Sequence, residues 1–177
     1  MNQDPSARRS FADLHTHSAA SFDSLSDPRK MMAKAVRLGL THLAITDHER
    51  VDGAQAAAEM APPGLQVIVG EEIKSRDGDI IGLFLREAIP PGLSAAETAA
   101  AIREQGGLVG LPHPFDSFRS SGGSQAGEAE QKLEVLAGVI DYVEIHNARA
   151  YRDANPLAGA FAQRHGLPGT ASSDAHS

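Results

Sequence analysis

Short apolar segments alternate with amphipathic helical segments along most of this chain, and this alternation restricts the possible folds more than any other feature. Strands are predicted at residues 11–15, 41–46, 65–70, 79–85, 107–112, 141–146 and 169–174, which are mostly β-branched or continuously apolar. Helices are predicted at residues 26–39, 52–61, 94–107, 128–137 and 154–165. Strands that alternate with helices favour an α/β architecture with a parallel sheet.

Local signals mark the ends of two of these helices. In the first, Ser26 or Asp27 can cap the N-terminus, Pro28 suits the first turn and Gly39 suits the stop. In the third, Ser94 and Glu97 form a capping-box pattern. The Ser- and Gly-rich stretch over residues 116–130 is predicted to be a mobile loop.

Length and composition narrow the class of protein. A chain of 177 residues predicts a flexible N-terminal segment at residues 1–10 followed by a single domain over 11–177. No apolar run is long enough to span a membrane and no secretory signal precedes the first strand, so a cytoplasmic location is expected. The net charge of -7 argues against a broad nucleic-acid-binding face, since such a face needs clustered Lys and Arg. Without cysteine, any metal must be held by nitrogen and oxygen.

Acidic and histidine side chains follow six of the seven predicted strands. The motifs are HTH at 15–17, TDH at 46–48, GEEI at 70–73, PHP at 112–114, EIHN at 144–147 and SDAH at 173–176. A single histidine after a strand is more often a hydrogen-bonded loop residue than a ligand. Parallel α/β folds, however, gather their chemistry where the strands end. The six motifs together therefore predict a metal site with several ions.

The same motifs resemble a known family. DLHTHS, ITDHE, GEEI, LPHPFD and SSDAHS, in this order, are similar to the polymerase and histidinol phosphatase (PHP) family of metal-dependent phosphoesterases, from Phe11 to the last residue. The resemblance implies a distorted (βα)7 barrel with two or three divalent ions, Mn, Fe or Zn, at its mouth. Members usually continue past the final motif, so this chain is expected to lack the usual C-terminal extension. Asp174 and His176 would then be held from one side only and be the least rigid ligands.

The resemblance also implies individual ligands. Glu72, rather than Glu71, matches the bridging carboxylate, and Asp79 stands where many members carry a histidine. Asp79 could be an oxygen ligand or a solvated turn residue, and both readings stay open. The predicted metal ligands are His15, His17, Asp23, His48, Glu72, Asp79, His113, Asp174 and His176, and the predicted catalytic residues among them are Glu72, His113, Asp174 and His176.

Further residues near the motifs have weaker assignments. Arg149, after EIHN, and Arg119, in the predicted loop, are candidate phosphate clamps because a guanidinium can grip two oxygens. Asp47 is expected to orient a ligand histidine. His146 follows a strand end and is a second candidate for the site.

The implied chemistry is hydrolysis by a metal-activated hydroxide. The leading function is cleavage of a phosphomonoester or a small phosphodiester, with a nucleotide or short oligonucleotide as a candidate substrate and no duplex nucleic acid or membrane partner expected. Two alternatives stay open: a metal-dependent amidohydrolase-like C–N hydrolase, because fold does not determine substrate, and a non-catalytic PHP scaffold module. The sequence leaves the substrate and the oligomeric state undecided.

Overall fold

A seven-stranded sheet and five helices make up the part of the chain described by the computed structural model, which covers residues 9–116, 126–151 and 153–177, without the side chains of residues 126–130. The strands are β1 Ala12–Asp13, β2 His42–Ile45, β3 Gln66–Lys74, β4 Asp79–Leu83, β5 Leu108–Leu111, β6 Tyr142–Asn147 and β7 Gly169–Ser172. The helices are α1 Pro28–Arg37, α2 Asp52–Glu59, α3 Ala95–Glu104, α4 Ala126–Ala137 and α5 Ala154–His165. All seven predicted strands and all five predicted helices are present; α5 has the predicted bounds, and the other elements have shifted ends.

The strands follow one another around the sheet in chain order and close into a distorted barrel. A parallel bridge between Thr16 and Ala175 joins the two ends of the sheet. The predicted distorted seven-stranded α/β barrel is therefore confirmed.

The prediction of a parallel sheet is wrong for β4, which is antiparallel to both β3 and β5. No helix separates β3 from β4. The chain instead reverses at residues 75–78, where the Ser75 amide donates to the Gly78 carbonyl at 3.1 Å. A short turn can join only antiparallel strands, because parallel neighbours need a long crossover. The reversal carries the start of β4, at Asp79, to the end of the barrel where the other strands finish.

The predicted helix signals are confirmed. The Asp27 carboxylate accepts from the Arg29 amide at 2.8 Å and Pro28 is the first residue of α1. Ser94 and Glu97 form the capping box of α3. The loop predicted for residues 116–130 is wrong at its end, because α4 begins at Ala126. Residues 117–125 lie outside the described ranges, as do residues 1–8 of the predicted N-terminal segment.

An apolar plug fills the barrel below its mouth. It consists of Ala44, Ile68, Ile81, Leu83 and Tyr142. Alternate residues of a strand face opposite sides, so Glu72, four residues after Ile68, and Glu144, two after Tyr142, share the inner face with the plug. The apolar plug therefore lies directly below the polar residues of the mouth and forms the floor of the site.

The C-terminal motif is held by the first strand and its loop on one side. On the other side the Asn147 side chain, at the end of β6, donates to Asp174 Oδ2 at 3.1 Å, so the expectation that Asp174 and His176 are held from one side only is wrong for Asp174. The Asp174 amide donates to the His15 carbonyl at 2.9 Å, and the His17 amide donates to the Ala175 carbonyl at 2.9 Å. The Ser24 hydroxyl lies between the His17 and His176 carbonyls, at 2.8 and 3.0 Å, and can donate to either. These bonds close the barrel by pairing the last residues with the first strand.

Across the described ranges, none of the helices combines the length and the apolarity needed to cross a membrane.

Candidate metal centre

All the predicted ligands except Asp79 meet in one cluster at the mouth of the barrel. Their candidate ligand atoms form three overlapping groups, and the atoms of each group lie within 4.8 Å of one another. The groups are His15, His17 and Glu72; His15, His113 and Asp174; and His17, Asp23, His48 and His176. Two histidines are shared between groups, which is the arrangement expected of adjacent ions.

The innermost group consists of His15, His17 and Glu72. The Nε2 atoms of the two imidazoles are 3.0 Å apart, and Glu72 Oε2 lies 3.1 Å from His15 Nε2 and 3.2 Å from His17 Nε2. Both histidines are fully buried. Lone pairs that face one another at this distance away from water need a cation between them, either protons or a metal ion. Imidazole nitrogen and carboxylate oxygen suit Mn, Fe or Zn.

Glu72 is central because its carboxylate contacts histidines from several elements. Oε1 lies 3.3 Å from His113 Nε2, and Oε2 lies 3.6 Å from His48 Nδ1. Glu72 belongs to β3 rather than to a loop after it, since the strand runs on to Lys74. A rigid strand position facing several imidazoles is suited to a carboxylate that bridges ions, as the resemblance implies.

The outer group is closer to solvent. Asp23 Oδ2 lies 2.9 Å from His176 Nε2 and 3.2 Å from His48 Nε2. Asp23 comes from the loop after the first ligand pair, His48 follows β2 and His176 follows β7. Residues far apart in the chain therefore close one cluster.

Two predicted ligands have unusual backbone conformations. His113 and Asp174 have positive φ angles of 25° and 51°. Non-glycine residues rarely adopt this region, and such strain concentrates at functional sites where the surroundings hold it in place.

Electrostatics in the site favour ionised partners. Burial opposes the charged form of His15, but hydrogen bonds with Glu144 and Glu72 outweigh it and hold its pKa well above the ordinary value. Burial would raise the pKa of Glu72, but hydrogen bonds with His113, His15 and His17 hold it well below. The pKa of Asp174 is likewise lowered, because its hydrogen bond with His17 and the charge of His15 outweigh burial. Each carboxylate therefore stays ionised and ready to accept a cation.

Glu144 and Asn147 belong to the site but had no assigned role in the sequence predictions. Glu144 Oε1 lies 3.2 Å from His15 Nδ1, and Oε2 accepts from the His113 amide at 2.9 Å. The Asn147 side-chain nitrogen Nδ2 donates to Glu144 Oε2 at 3.0 Å and to Asp174 Oδ2 at 3.1 Å. Glu144 and Asn147 are 1% exposed. The EIHN motif indicated that this strand end belongs to the site, but only the fold shows that Glu144 and Asn147 face inward.

The remaining acidic and histidine candidates lie around the cluster rather than in it. Asp79 is at the mouth, with Oδ1 3.8 Å from Lys74 Nζ, and it joins none of the ligand groups formed by the described residues. Its assignment as a ligand stays a prediction. His146 is exposed and contacts Asn155, beside an irregularity in the β6–β7 pairing. Asp47 accepts from the amide and hydroxyl of Ser18 at 2.6 and 2.7 Å, so the bonds seen here hold the first loop rather than a histidine.

Of the two arginines predicted to bind phosphate, Arg149 lies beside the cluster and Arg119 is not among the described residues. Arg149 reaches the rim of the cluster, where its Nη1 contacts the His176 ring and lies 3.6 Å from Asp174 Oδ1. Its side chain is half-exposed and so accessible to a substrate.

Comparisons with known proteins agree with this geometry. Residues 13–136 match the family model of the PHP domain, and residues 152–177 match the PHP-associated model. An uncharacterized protein of Methanocaldococcus jannaschii is 36% identical over 148 residues, covering 77% of this chain and 81% of that protein. The error-prone DNA polymerase of Cutibacterium acnes is 32% identical over an alignment of 206 residues, covering 94% of this chain but 18% of the polymerase.

Solved structures share the fold. A two-domain protein of Bacteroides vulgatus, described as containing a predicted PHP-like metal-dependent phosphoesterase, superposes with a TM-score of 0.74 at 23% identity, over 93% of this chain and 51% of that chain. An amidohydrolase of Chromobacterium violaceum, solved with bound sulfate and no metal, superposes with a TM-score of 0.71 at 18% identity, over 93% of this chain and 87% of that chain. With the family model matching most of its length and its ligand motifs gathered at the barrel mouth, this chain belongs to the PHP domain family.

Proposed function

We propose that this protein is a metal-dependent phosphoesterase that hydrolyses a phosphomonoester or a small phosphodiester. The observation that carries the proposal is the convergence of five histidines and three carboxylates on one open mouth of the barrel. The family supports a metal-dependent hydrolase, and the substrate is our inference.

The residues present fit a cluster of two or three divalent ions. His15, His17 and Glu72 would hold one ion, and His113 with Asp174 and His15 would hold a second. The outer group of Asp23, His48 and His176 with His17 would hold a third. When bound, such ions supply positive charge that acidifies water and neutralises phosphoryl oxygens.

The chain itself supplies binding and orientation. Arg149 would grip a phosphoryl oxygen at the rim, since its guanidinium is half-exposed, lies beside the cluster and is 3.6 Å from Asp174 Oδ1, too far for a direct hydrogen bond. His113 and His176 are the partly exposed imidazoles beside this position, and either can pass a proton to the leaving oxygen only when its nitrogen is free of an ion. The buried floor below keeps water out from beneath the cluster.

The two other functions are less well supported. A scaffold module without activity has no need to keep a full ligand set, and eight predicted ligands meet here. A C–N hydrolase would use the same ions, but Arg149 at the rim favours an anionic group with several oxygens over an amide.

The proposal is tested by metal analysis and turnover. Protein purified without chelator is expected to carry Mn, Fe or Zn by plasma emission and to hydrolyse 4-nitrophenyl phosphate with added Mn. His15→Ala and Asp174→Ala are expected to abolish turnover, whereas His42→Ala, at the start of β2, is a matched control expected to keep it. Absence of bound metal together with absence of turnover would reject the proposal. Cleavage of an N-acyl substrate but not of phosphate esters would favour the C–N hydrolase.

A further inference from the structure

Phe22 presents an exposed aromatic ring at the mouth of the barrel. The residue is 85% exposed, and its ring stacks on the His48 ring with a centroid distance of 5.0 Å and an interplanar angle of 28°. A single exposed apolar side chain is ordinary in a folded protein. This one differs because one face covers a candidate metal ligand while most of the ring remains open to solvent.

The loop that carries Phe22 is held by hydrogen bonds on both sides of the ring. The Arg50 guanidinium donates to the Ala20 carbonyl at 3.0 Å, and the Ser24 hydroxyl donates to the His17 carbonyl at 2.8 Å. The Ser21 hydroxyl donates to the Asp23 carboxylate at 2.7 Å. The loop backbone that carries the ring is therefore held before a substrate arrives, and the stack on His48 orients the ring, which together lower the entropy cost of binding on it.

The surroundings of the ring disfavour a second phosphate group, because Glu49 and Asp52 are acidic and Arg50 is already paired. A shallow depression of about 460 Å³ lies beside it, lined by Ala20, Phe22, His48, Glu49, Arg50 and Asp52. The Arg50 guanidinium is already paired with Asp52 at 2.6 Å, so it is not free to bind a second phosphate. Asp23, the next residue, belongs with His48 to the outer ligand group. A ring on Phe22 would thus lie directly beside a phosphoryl group held at the cluster.

We infer that Phe22 is a stacking platform that selects phosphate esters whose alcohol portion carries a planar ring, either an aryl group or a nucleobase. This inference rests on the proposed function, which places the phosphoryl group at the cluster. Stacking of a base on an aromatic side chain contributes about 1–3 kcal/mol. Loss of the ring is therefore expected to reduce kcat/KM for such substrates by roughly 5- to 150-fold.

The test compares esters with and without a ring. The Mn-loaded protein is assayed with adenosine 5′-monophosphate, phenyl phosphate and glycerol phosphate, in the wild type, Phe22→Ala, Phe22→Leu and Phe22→Trp. Phe22→Ala and Phe22→Leu are expected to lose activity on one or both ring-bearing esters and to keep glycerol phosphate within about twofold, whereas Phe22→Trp keeps both classes. The ester that suffers the larger loss distinguishes a nucleobase from a simple aryl group. Phe11→Ala, at an exposed phenylalanine before β1, is the matched control.

A binding measurement separates this inference from the proposed function. Calorimetric titration of the Mn-loaded protein with phenylphosphonate and methylphosphonate, which cannot be hydrolysed as esters, is expected to show tighter binding of the phenyl compound and loss of that preference in Phe22→Ala. If the preference is present but no ester is turned over, the phosphoesterase proposal fails while the platform stands. An equal loss of all esters in Phe22→Ala would overturn the platform, as would equal binding of the two phosphonates together with an unchanged activity of Phe22→Ala on adenosine 5′-monophosphate.

Discussion

Replacing Glu144 with glutamine should weaken metal binding, although Glu144 belongs to none of the ligand groups. Its carboxylate is 1% exposed and joins three partners: His15 Nδ1 at 3.2 Å, the His113 amide at 2.9 Å and the Asn147 side chain at 3.0 Å. Glutamine keeps the volume of glutamate but exchanges one acceptor oxygen for a donor NH2 group. The His113 amide and the Asn147 side chain donate to Glu144, and His15 Nδ1 must also donate to it if its Nε2 is to bind a metal. Glutamine has only one acceptor oxygen, so at least one of these contacts is lost.

The amide has two orientations, and both are unfavourable. If its oxygen accepts from His113 and Asn147, its NH2 group faces His15 Nδ1 and moves the imidazole proton to Nε2. That nitrogen is the atom that faces Glu72 and His17, so His15 would lose the lone pair it needs as a ligand. If the amide is reversed, the His113 and Asn147 donors are left facing NH2, at a cost of about 1–3 kcal/mol.

The expected magnitude is a 10- to 100-fold weaker Mn affinity, or roughly 1.4–2.7 kcal/mol, which is typical for removing the partner of a ligand histidine. Mn binding is measured by competition with a chelating indicator, and plasma emission gives the ions bound per chain. Glu71→Gln is the matched control, because Glu71 is equally buried but accepts from the Ile89 amide at 2.8 Å, on the outer face of β3. An Mn affinity within twofold of wild type in Glu144→Gln, or an equal loss in Glu71→Gln, would refute the reasoning.

Three further predictions concern stability and metal count. Burial raises the pKa of Glu71 from 4.5 to about 7, so in chelator-treated protein its contribution to stability is fully present below pH 4.5 and is lost as pH rises through 7. The free energy of unfolding of Glu71→Gln, relative to that of the wild type, should therefore rise by roughly 3 kcal/mol between these two pH values. A relative free energy that does not change with pH in urea unfolding would contradict this. Gly110→Ala should lower the free energy of unfolding by about 1–3 kcal/mol, because the new Cβ would lie 2.1 Å from Tyr142 Cζ in the packed barrel. An unchanged urea midpoint would contradict this prediction. Asp79→Asn tests the predicted ligand role of Asp79: because its carboxylate joins none of the ligand groups of the described residues, the Mn count per chain should stay unchanged, and loss of one ion would support the ligand role.

Local physical chemistry explains why much of the protein could be predicted from its sequence. Helix α1 begins at Asp27 and Pro28 because a capping carboxylate and a preset φ angle act within one turn. Most strands contain apolar runs, and the acidic and histidine residues at their ends predicted the ligands that meet at the mouth. A family resemblance carried by five motifs supplied the ligand set and the barrel.

Tertiary structure decided the features that depend on which distant residues become neighbours. Glu144 contacts His15 across 129 positions of the chain, and neither residue's surroundings in sequence indicate the contact. The reversal of β4 carries Asp79 to the mouth. Asp174 is held by His15 on the side of the first strand and by Asn147 on the side of β6. In the sequence Phe22 is an ordinary loop residue, and only the fold shows that its ring stacks on His48. Strand pairing and side-chain packing act over long sequence separations, so local propensities could predict the elements and many of the ligands but not the contacts that orient them.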